Sequence, residues 1–331
     1  MKFVTIPPGV HDPSKESDLG YPFDKTLVFE PGLHEFQTTA KKRAMRLGDN
    51  VRLTGKPGAI IRLSGDGVFA MGVGSENIIV EGLTIERTGF AGISNFATAM
   101  EFRGCRNVEV SDCKITGHGG MGIKLCRDCG YAPDGRPFDM LGDSLVSTRN
   151  VLIRDCVFEQ IAGAAIGCKP GGASHVDILR CRIDGFGSYG VCIEGDAGGG
   201  RRGCVSHVTV ADCEITNGDP VKFHGKNDSC YGIYVGEDAH DITIRGNTID
   251  NLRAANRECG VAVCTSPSQG DRPVSGVRIL DNGINNNRWP VFLWQGKSSI
   301  TGIEMMLRPA RCSLDCVVKC WTGHERYKVL Q

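Results

Sequence analysis

Three cations and one phenol occupy corresponding positions in short segments where apolar and polar residues alternate. They are Arg103, Lys124, Lys169 and Tyr234. If these segments are strands on successive layers, the cationic heads can converge on one anionic group. Neutralising the carboxylate of a uronic acid acidifies its C5 proton, which a Lys or Tyr of lowered pKa can then remove. Lys124, Lys169 and Tyr234 are therefore candidate catalytic groups for β-elimination or C5 epimerisation.

Two glutamates, Glu101 and Glu194, flank these cations in the same segments. Glycoside hydrolysis needs two carboxyl groups about 5 to 9.5 Å apart. Three layers separate the two glutamates, which at roughly 4.8 Å per layer is too far for that chemistry. Glu194 would need a partner, either Asp196 or an aspartate of the long insertion from Arg127 to Ser147. With such a partner Glu194 is a catalytic candidate, and a hydrolase or transglycosylase stays an alternative.

Other charged side chains are candidates for holding the substrate. The candidates for substrate binding are Glu101, Arg103, Asp128, Arg201, Arg202 and His224. Asp128 lies at the start of the longest insertion, which can wall a groove or fold over it. The two loop arginines and His224 lie in loops rich in polar residues and Gly, and charged residues of this kind often form only a solvated surface. Each candidate therefore has a purely structural alternative.

The cysteines form no recognisable zinc motif. Cys126 and Cys129 lack a second pair at structural zinc spacing, and three further thiols lie four residues apart at Cys312, Cys316 and Cys320. The sequence leaves open whether either group binds metal or forms a disulfide. We expect no cofactor, with a Ca²⁺ ion held by loop carboxylates as an alternative that no motif supports.

A repeat positions the candidate residues. Seven nine-residue segments align so that the second and fourth residues are always Val or Ile, while the third and fifth are mostly polar. They begin at Asn77, Asn107, Asn150, His175, His207, Asp241 and Gly276. This period of two indicates strands. The seventh position predicts a turn ladder of stacked, buried side chains, namely Leu83, Cys113, Cys156, Cys181, Cys213, Asn247 and Asn282.

A second motif follows each segment after a loop of variable length. Its copies are TAMEFR, MGIKLC, AAIGCK, YGVCIE, YGIYVG, CGVAVC and WPVFLW, which again alternate. No helical period is visible between the strands. We therefore predict an all-β fold, a parallel β-helix of about eight to ten coils, over residues 50–298. Residues 1–49 are assigned to N-terminal cap strands, and residues 299–331 to a degenerate last coil and C-terminal cap.

The second motif also predicts two outward columns of side chains on successive coils. The first column is Glu101, Lys124, Gly167, Cys192, Tyr234, Ala262 and Phe292. The second column is Arg103, Cys126, Lys169, Glu194, Gly236, Cys264 and Trp294. Charged and polar side chains concentrate in the lower and middle coils, so a functional site is expected there.

Composition limits the class of partner. The chain has 331 residues with 38 basic and 38 acidic side chains, so no overall field favours nucleic acid or a membrane surface. No segment has the pattern of a signal peptide or a membrane span, and the 16 cysteines are expected to be reduced because an ample core needs no disulfide scaffold. These points predict a cytoplasmic protein, or a secreted one if a signal peptide has been removed. A homo-oligomer stays open.

The succession of a Val/Ile-rich strand, a small ladder residue, a second strand and a G-I-x-V strand resembles the pectin lyase-like superfamily of right-handed parallel β-helices. The resemblance covers residues 50–295. The superfamily includes pectate and alginate lyases, polyuronate epimerases, polygalacturonases, fructan-forming transferases and phage tailspikes. For this chain it implies a polysaccharide or oligosaccharide partner bound along the outward face of the G-I-x-V strand.

The resemblance does not select one activity. The sequence GHGG at 117–120 lacks the paired aspartates that accompany it in polygalacturonases, so His118 is expected to be an ordinary loop histidine. The leading prediction is a lyase or C5-epimerase acting on a uronate-containing glycan. The alternatives are a glycoside hydrolase or a fructan- or glycosyl-transferase that uses a Glu/Asp pair, and a non-catalytic glycan-binding or tailspike-like solenoid.

Overall fold

The chain winds into coils whose strands form three faces, here named A, B and C. The computed structural model describes residues 2–12, 22–38, 43–88, 97–127, 147–169, 171–195, 203–224, 228–265, 272–296, 298–307, 319–321 and 328–330. Every strand pairing in these residues is parallel, and the described part of the chain contains one helix, α1 (Pro220–His224). No helix in the described ranges is long and apolar enough to cross a membrane.

The strands are numbered along the chain. Face A contains β1 (Lys2–Ile6), β3 (Lys25–Phe29), β6 (Val51–Gly55), β9 (Glu76–Glu81), β12 (Arg106–Ser111), β15 (Thr148–Arg154), β18 (Ala173–Leu179), β21 (Val205–Ala211), β24 (Ala239–Arg245), the first part of β27 (Val274–Asn285), β29 (Ile300–Thr301), β30 (Glu304–Leu307) and β32 (Lys328–Leu330). Face B contains β2 (Gly9–His11), β4 (Gly32–Gln37), β7 (Ala59–Ser64), β10 (Thr84–Thr88), β13 (Lys114–Thr116), β16 (Val157–Ile161), β19 (Arg182–Phe186), β22 (Glu214–Gly218), β25 (Thr248–Asp250) and the second part of β27. Face C contains β5 (Met45–Leu47), β8 (Ala70–Val73), β11 (Met100–Arg103), β14 (Ile123–Cys126), β17 (Ala164–Cys168), β20 (Tyr189–Glu194), β23 (Cys230–Gly236), β26 (Glu258–Cys264), β28 (Trp289–Trp294) and β31 (Lys319–Trp321).

The register confirms the predicted repeat. Val110 pairs with Val80 on the coil below and with Ile153 on the coil above, as the alignment of the nine-residue segments requires. The all-β parallel β-helix is therefore confirmed, and its third face has ten strands. Because each strand buries every second side chain, the interior is filled by Val, Ile, Leu and Phe from all three faces.

The first residue of each segment adopts a left-handed backbone conformation, which explains its identity. Asn77, Asn107 and Asn150 have φ between 54° and 58°, a region that Asn tolerates better than most residues. Their side-chain amides also form an exposed chain, since Asn107 donates to Asn77 at 2.9 Å and Asn150 donates to Asn107 at 3.1 Å. At these corners the repeat carries Asn, His, Asp or Gly, each in a left-handed conformation.

The turn ladder is buried as predicted. Cys156 is fully buried, and its Sγ donates to the carbonyls of Val110 at 3.6 Å and Arg154 at 3.2 Å. The twelve cysteines whose side chains the structure describes are unbridged. Higher in the same ladder, Asn247 Nδ2 donates to Asn282 Oδ1 at 2.9 Å, so amides replace thiols without leaving the polar atoms unpaired.

The five strands described before residue 48, in the part of the chain assigned from the sequence to cap strands, lie on the same three faces. On face A β1 pairs with β3 and β3 with β6, on face B β2 pairs with β4, and on face C β5 pairs with β8. At the other end β30 and β32 extend face A and β31 extends face C. The described strands before and after residue 50 therefore pair in the same parallel way.

Candidate functional site

Face C places both predicted columns in register. In the first column Glu101 pairs with Lys124, and Cys192 pairs with Tyr234. In the second column Glu194 pairs with Gly236. Most apolar side chains of these strands enter the core, so the charged and aromatic ones remain on the outside of the solenoid. The structure thereby brings Glu101, Arg103, Lys124, Lys169, Glu194 and Tyr234 to one lengthwise stripe.

Glu101 organises the lower cluster of this stripe. Its Oε1 lies 2.9 Å from Lys124 Nζ and 3.0 Å from Arg103 Nη2, and Cys126 Sγ donates to it at 3.8 Å. The side chain of Glu101 is only 4 % exposed, whereas that of Lys124 is 20 % exposed. The carboxylate is therefore a buried anchor, and the partly exposed cations around it are what a ligand can reach.

Burial and ion pairing compete in setting the charges of this cluster. Burial raises the pKa of Glu101, but Lys124 and Arg103 together lower it, and the net pKa is below the usual value. Burial lowers the pKa of Lys124, but Glu101 outweighs it, and the net pKa is raised. Both groups are thus ionised at neutral pH, because each stabilises the charge of the other.

Lys169 and Glu194 form a second cluster above the first. Their Nζ and Oε2 atoms lie 3.6 Å apart, and Cys192 Sγ donates to the same oxygen at 3.8 Å. The pKa of Lys169 is raised by Cys192 and Glu194 against the effect of burial. Because burial raises the pKa of Cys192 itself, that thiol is uncharged at neutral pH, and Glu194 supplies the negative charge.

A cluster of three tyrosines begins beside Lys169. Its Nζ is 4.9 Å from the centre of the Tyr189 ring, a cation–π distance. Tyr189 stacks on Tyr231 at 5.6 Å, and Tyr234 packs edge-on against Tyr189 at 5.4 Å. Gly236 makes room for the Tyr234 ring, since a Cβ at this position would lie 2.5 Å from a ring carbon.

The predicted lowering of the pKa values of the candidate bases is wrong. Burial raises the pKa of Tyr234, and the nearby Cys264 and Glu194 raise it further. The pKa values of Lys124 and Lys169 are also raised, because each faces a glutamate. All three groups therefore hold their protons at neutral pH, and none is a ready general base.

Aromatic residues continue the stripe upward. Trp289 stacks on Phe292 at 5.3 Å, and the Arg257 guanidinium lies 4.4 Å from the centre of the Trp294 ring. These rings pack with Tyr231, Cys259 and Cys264 into a second apolar cluster outside the solenoid core. The predicted apolar end of face C is therefore present, with an arginine over it.

Two arginines at the lower end were missed in the sequence. Arg46 pairs with Met71, which in turn pairs with Glu101, so it lies in the first column two coils below Glu101. Arg43 Nη1 donates to Met71 Sδ at 2.7 Å, and its pKa is lowered by burial and then by Arg103 and Arg46. The short strand β5 carries too few residues for its alternation to be recognised.

Several predicted site residues lie outside the described residues. They are Asp128, Asp196, Arg201 and Arg202, and for His224 only the backbone is described. His118 is described and lies in a loop, as the sequence suggested, but it is not exposed. It is fully buried, accepts from Arg87 Nε at 3.4 Å, and its pKa falls to about 3 because burial disfavours the charged form. In the described part of the chain no three His, Cys, Asp or Glu residues are grouped to hold a metal ion.

The sequence profile described as "Right handed beta helix region" matches residues 48–199 and 144–305, which together cover most of the chain. The chain belongs to this right-handed β-helix family. No curated protein sequence matches it. The handedness implied by the resemblance to the pectin lyase-like superfamily is thereby confirmed, together with the fold class.

Solved structures with the same fold belong to proteins of different activities. The tailspike gp49 of Acinetobacter baumannii bacteriophage Fri1, a capsular polysaccharide depolymerase, is 11% identical with a TM-score of 0.54, covering 97% of this chain and 65% of the tailspike. The adhesin PfbA of Streptococcus pneumoniae is 12% identical with a TM-score of 0.51, and the match covers 92% of this chain and 82% of the adhesin. The Family 28 exopolygalacturonase of Yersinia enterocolitica is 10% identical with a TM-score of 0.51, and the match covers 93% of this chain and 73% of the exopolygalacturonase. The structural similarity establishes the fold, but sequence identities this low do not establish the activity.

Proposed function

We propose that face C of this β-helix binds an acidic polysaccharide or oligosaccharide along the solenoid axis. The observation that carries the proposal is the contact of Lys169 Nζ with the Tyr189 ring, where a cationic half of the stripe meets an aromatic half. An aromatic ring can pack against the apolar face of a sugar, and an adjacent ammonium can pair with its carboxylate. Because the stripe offers both an aromatic ring and an ammonium group, it matches a sugar acid better than a neutral sugar.

The local charge supports an anionic ligand although the chain as a whole is neutral. In the lower and middle coils the described stripe holds five cations and two carboxylates. The cations are Arg43, Arg46, Arg103, Lys124 and Lys169, and the carboxylates are Glu101 and Glu194. Since both carboxylates already contact cations, the excess charge facing a ligand is positive.

The coil spacing supports a ligand that runs lengthwise. Successive strands of face C are roughly 4.8 Å apart, which is close to the length of one sugar unit in an extended glycan. Two of the structurally similar proteins, a capsular polysaccharide depolymerase and an exopolygalacturonase, are named for action on polysaccharides. These points favour a glycan over a small carboxylate.

A uronate lyase or C5-epimerase is the second candidate, and the protonated phenol of Tyr234 favours it. Because burial raises its pKa, Tyr234 stays protonated, and its hydroxyl can donate a hydrogen bond to a leaving oxygen. In this scheme Lys124 and Lys169 neutralise the sugar carboxylate. The base that takes the C5 proton is then a group other than these three.

A hydrolase or glycosyl transferase is less well supported. Glu101 is held between two cations and lies three coils below Glu194 on face C. Such a carboxylate cannot serve as the second group of a hydrolytic pair at this separation.

Calorimetric titration with acidic and neutral oligosaccharides tests the proposal. We expect oligomers of galacturonate or of alginate to bind, and matched neutral glucan or inulin oligomers to bind at least about tenfold more weakly. Tyr189→Ala should weaken binding, whereas Phe3→Ala, which removes an exposed ring from face A, should not. Equal binding of acidic and neutral oligomers would refute the proposal.

An absorbance assay for the unsaturated product separates the second candidate from simple binding. A lyase raises the ultraviolet absorbance of a bound uronate oligomer, and Tyr234→Phe should abolish that rise while leaving binding largely intact. Exchange of the C5 hydrogen with solvent deuterium reports epimerisation in the same way. Binding with neither signal would exclude both reactions for that glycan.

A further inference from the structure

A serine, a histidine and an aspartate meet at the corner between faces C and A, away from the stripe described above. Ser275 Oγ lies 2.8 Å from His240 Nδ1, and His240 Nε2 lies 3.1 Å from Asp238 Oδ1. Asp238 lies in the turn after β23, His240 in β24 and Ser275 in β27 on the next coil. The parallel register pairs His240 directly with Ser275, so the backbone fixes their contact.

The hydrogen-bond partners determine the state of the imidazole. A carboxylate only accepts, so Nε2 must carry the proton that it donates to Asp238. In the neutral imidazole Nδ1 is then the acceptor, and Ser275 Oγ–H must be the donor. This is the arrangement of a nucleophile, a general base and an orienting carboxylate, with the two ring nitrogens exchanged relative to the serine proteases.

The serine lies next to two corners that carry no side chain, and the histidine and aspartate are partly exposed. The corner position that carries Asn, His or Asp on the lower coils is occupied by Gly276 on this coil and by Gly302 on the coil above. Pairing with the coil above is interrupted between Thr301 and Glu304, next to Ser275. The side chains of His240 and Asp238 are each 27 % exposed, so solvent and a small ligand can reach them.

We infer that Ser275, His240 and Asp238 form a second site that hydrolyses carboxylic esters with a small acyl group. Ser275 Oγ attacks the ester carbonyl and passes its proton to His240 Nδ1, and that proton then leaves with the alcohol as the acyl–oxygen bond breaks. Water, deprotonated by His240, attacks the acyl-serine, and the proton returns to Ser275 as the carboxylic acid departs. The balance is one ester and one water in, one acid and one alcohol out.

The same corner indicates the charge of the acyl group. A Cβ placed on Gly276 would lie 2.8 Å from Asp241 Oδ1, so the Asp241 carboxylate packs closely against the residue that follows the serine. An anionic acyl group would meet this charge at close range. The site therefore suits uncharged acyl groups such as acetyl, and it disfavours succinyl or similar groups.

The chain supplies a matched serine that has no histidine beside it. Ser174 and Ser206 occupy the same strand position on lower coils, where Ser174 pairs with Ser206 and Ser206 with His240. Ser174 has no histidine on either neighbouring coil at this position, since it lies between Arg149 and Ser206. Ser174→Ala is therefore a control for loss of a half-buried hydroxyl at this corner.

A fluorophosphonate probe, which phosphonylates serine nucleophiles, tests the inference on the unaltered chain. We expect one adduct, and peptide mass spectrometry should place it on Ser275. Absence of an adduct, or an adduct only at another residue, would overturn the inference. Because this measurement needs no variant, it does not depend on whether a substituted chain folds.

Hydrolysis of 4-nitrophenyl acetate provides the second measurement. Ser275→Ala and His240→Gln should each lower the rate by about a hundredfold or more, to the solution background, while Ser174→Ala keeps the full rate. Asp238→Asn should lower the rate and leave Ser275 in place for slow labelling. A rate that is unchanged in Ser275→Ala would contradict the inference. Urea denaturation of each variant checks that the fold persists.

Discussion

Lys124 Nζ lies 2.9 Å from Glu101 Oε1, and this ion pair joins two neighbouring coils across face C. Arg103 contacts the same carboxylate at 3.0 Å from its own coil. Because the carboxylate is buried and the cations are partly exposed, Glu101 fixes the positions of two cations that face solvent. It acts as a support for the anion-binding stripe rather than as a contact for the sugar.

Glu101→Gln should therefore destabilise the fold. The substitution removes a buried charge with two ionic hydrogen bonds and leaves both cations without their partner, which we expect to cost about 2 to 4 kcal/mol of unfolding free energy. Urea denaturation measures this loss. Glu109→Gln is the control, since Glu109 pairs with Arg154 at a solvent-exposed position and should cost less than about 1 kcal/mol. Equal losses in the two variants would show that Glu101 is not the anchor proposed here.

The same carboxylate should give stability a defined pH dependence. Its pKa is lowered in the folded protein, so its contribution is fully present above the ordinary glutamate pKa of about 4.3 and is lost as the pH falls through the lowered value. The difference in unfolding free energy between the unaltered chain and Glu101→Gln should hold steady from neutral pH to about pH 5 and shrink below it. A difference that already vanishes between pH 7 and pH 5 would contradict this assignment.

Asn247 should be the most sensitive position of the upper turn ladder. Its Oδ1 accepts from the backbone N–H of Cys213 at 2.9 Å, and its Nδ2 donates to Val210 O at 2.9 Å. Asn247→Ala would leave these buried groups unpaired, at a cost of about 2 to 4 kcal/mol measured by urea denaturation. Asn285→Ala, at a half-exposed position, should cost less than about 1 kcal/mol. A small loss at Asn247 would mean that the ladder relaxes to satisfy these groups.

Gly236→Ala should disturb the ligand stripe and leave the core intact. The added Cβ would lie 2.5 Å from a ring carbon of Tyr234, so that ring must move from its place beside Tyr189. We expect binding of an acidic oligosaccharide to weaken several-fold. Gly283→Ala is the control, because its nearest contact would be 3.9 Å away. Unchanged affinity in Gly236→Ala would remove Tyr234 from the proposed surface.

The sequence predicted the strand register well because that register depends on alternation alone. Lys124 and Tyr234 were placed in one outward column by counting, and the strand pairing agrees. Their protonation states could not be obtained in this way. The pKa of Tyr234 depends on burial by neighbouring rings, and that of Lys124 on a glutamate one coil away.

The sequence also did not reveal the side-chain contacts between neighbouring coils. Ser275 and His240 are 35 residues apart, and neither lies in the columns that were followed along face C. Arg43 and Arg46 precede the first recognisable repeat, where Pro-rich segments and a three-residue strand hide the alternation. Aligning the residue just before each nine-residue segment would have placed Ser275 next to His240. It would not have shown that Asp238 lies within hydrogen-bond distance of that histidine.

The central claim is that cations on face C recognise the carboxylates of a glycan, and one comparison tests it directly. Affinity should be measured for a uronate oligomer and for the same oligomer after its carboxyl groups have been reduced to alcohols. The unaltered chain should prefer the acidic form by about tenfold or more at low salt, and Lys169→Gln should lose most of that preference while Lys114→Gln, at an ion pair on face B, keeps it. An equal preference in all three chains would contradict the account.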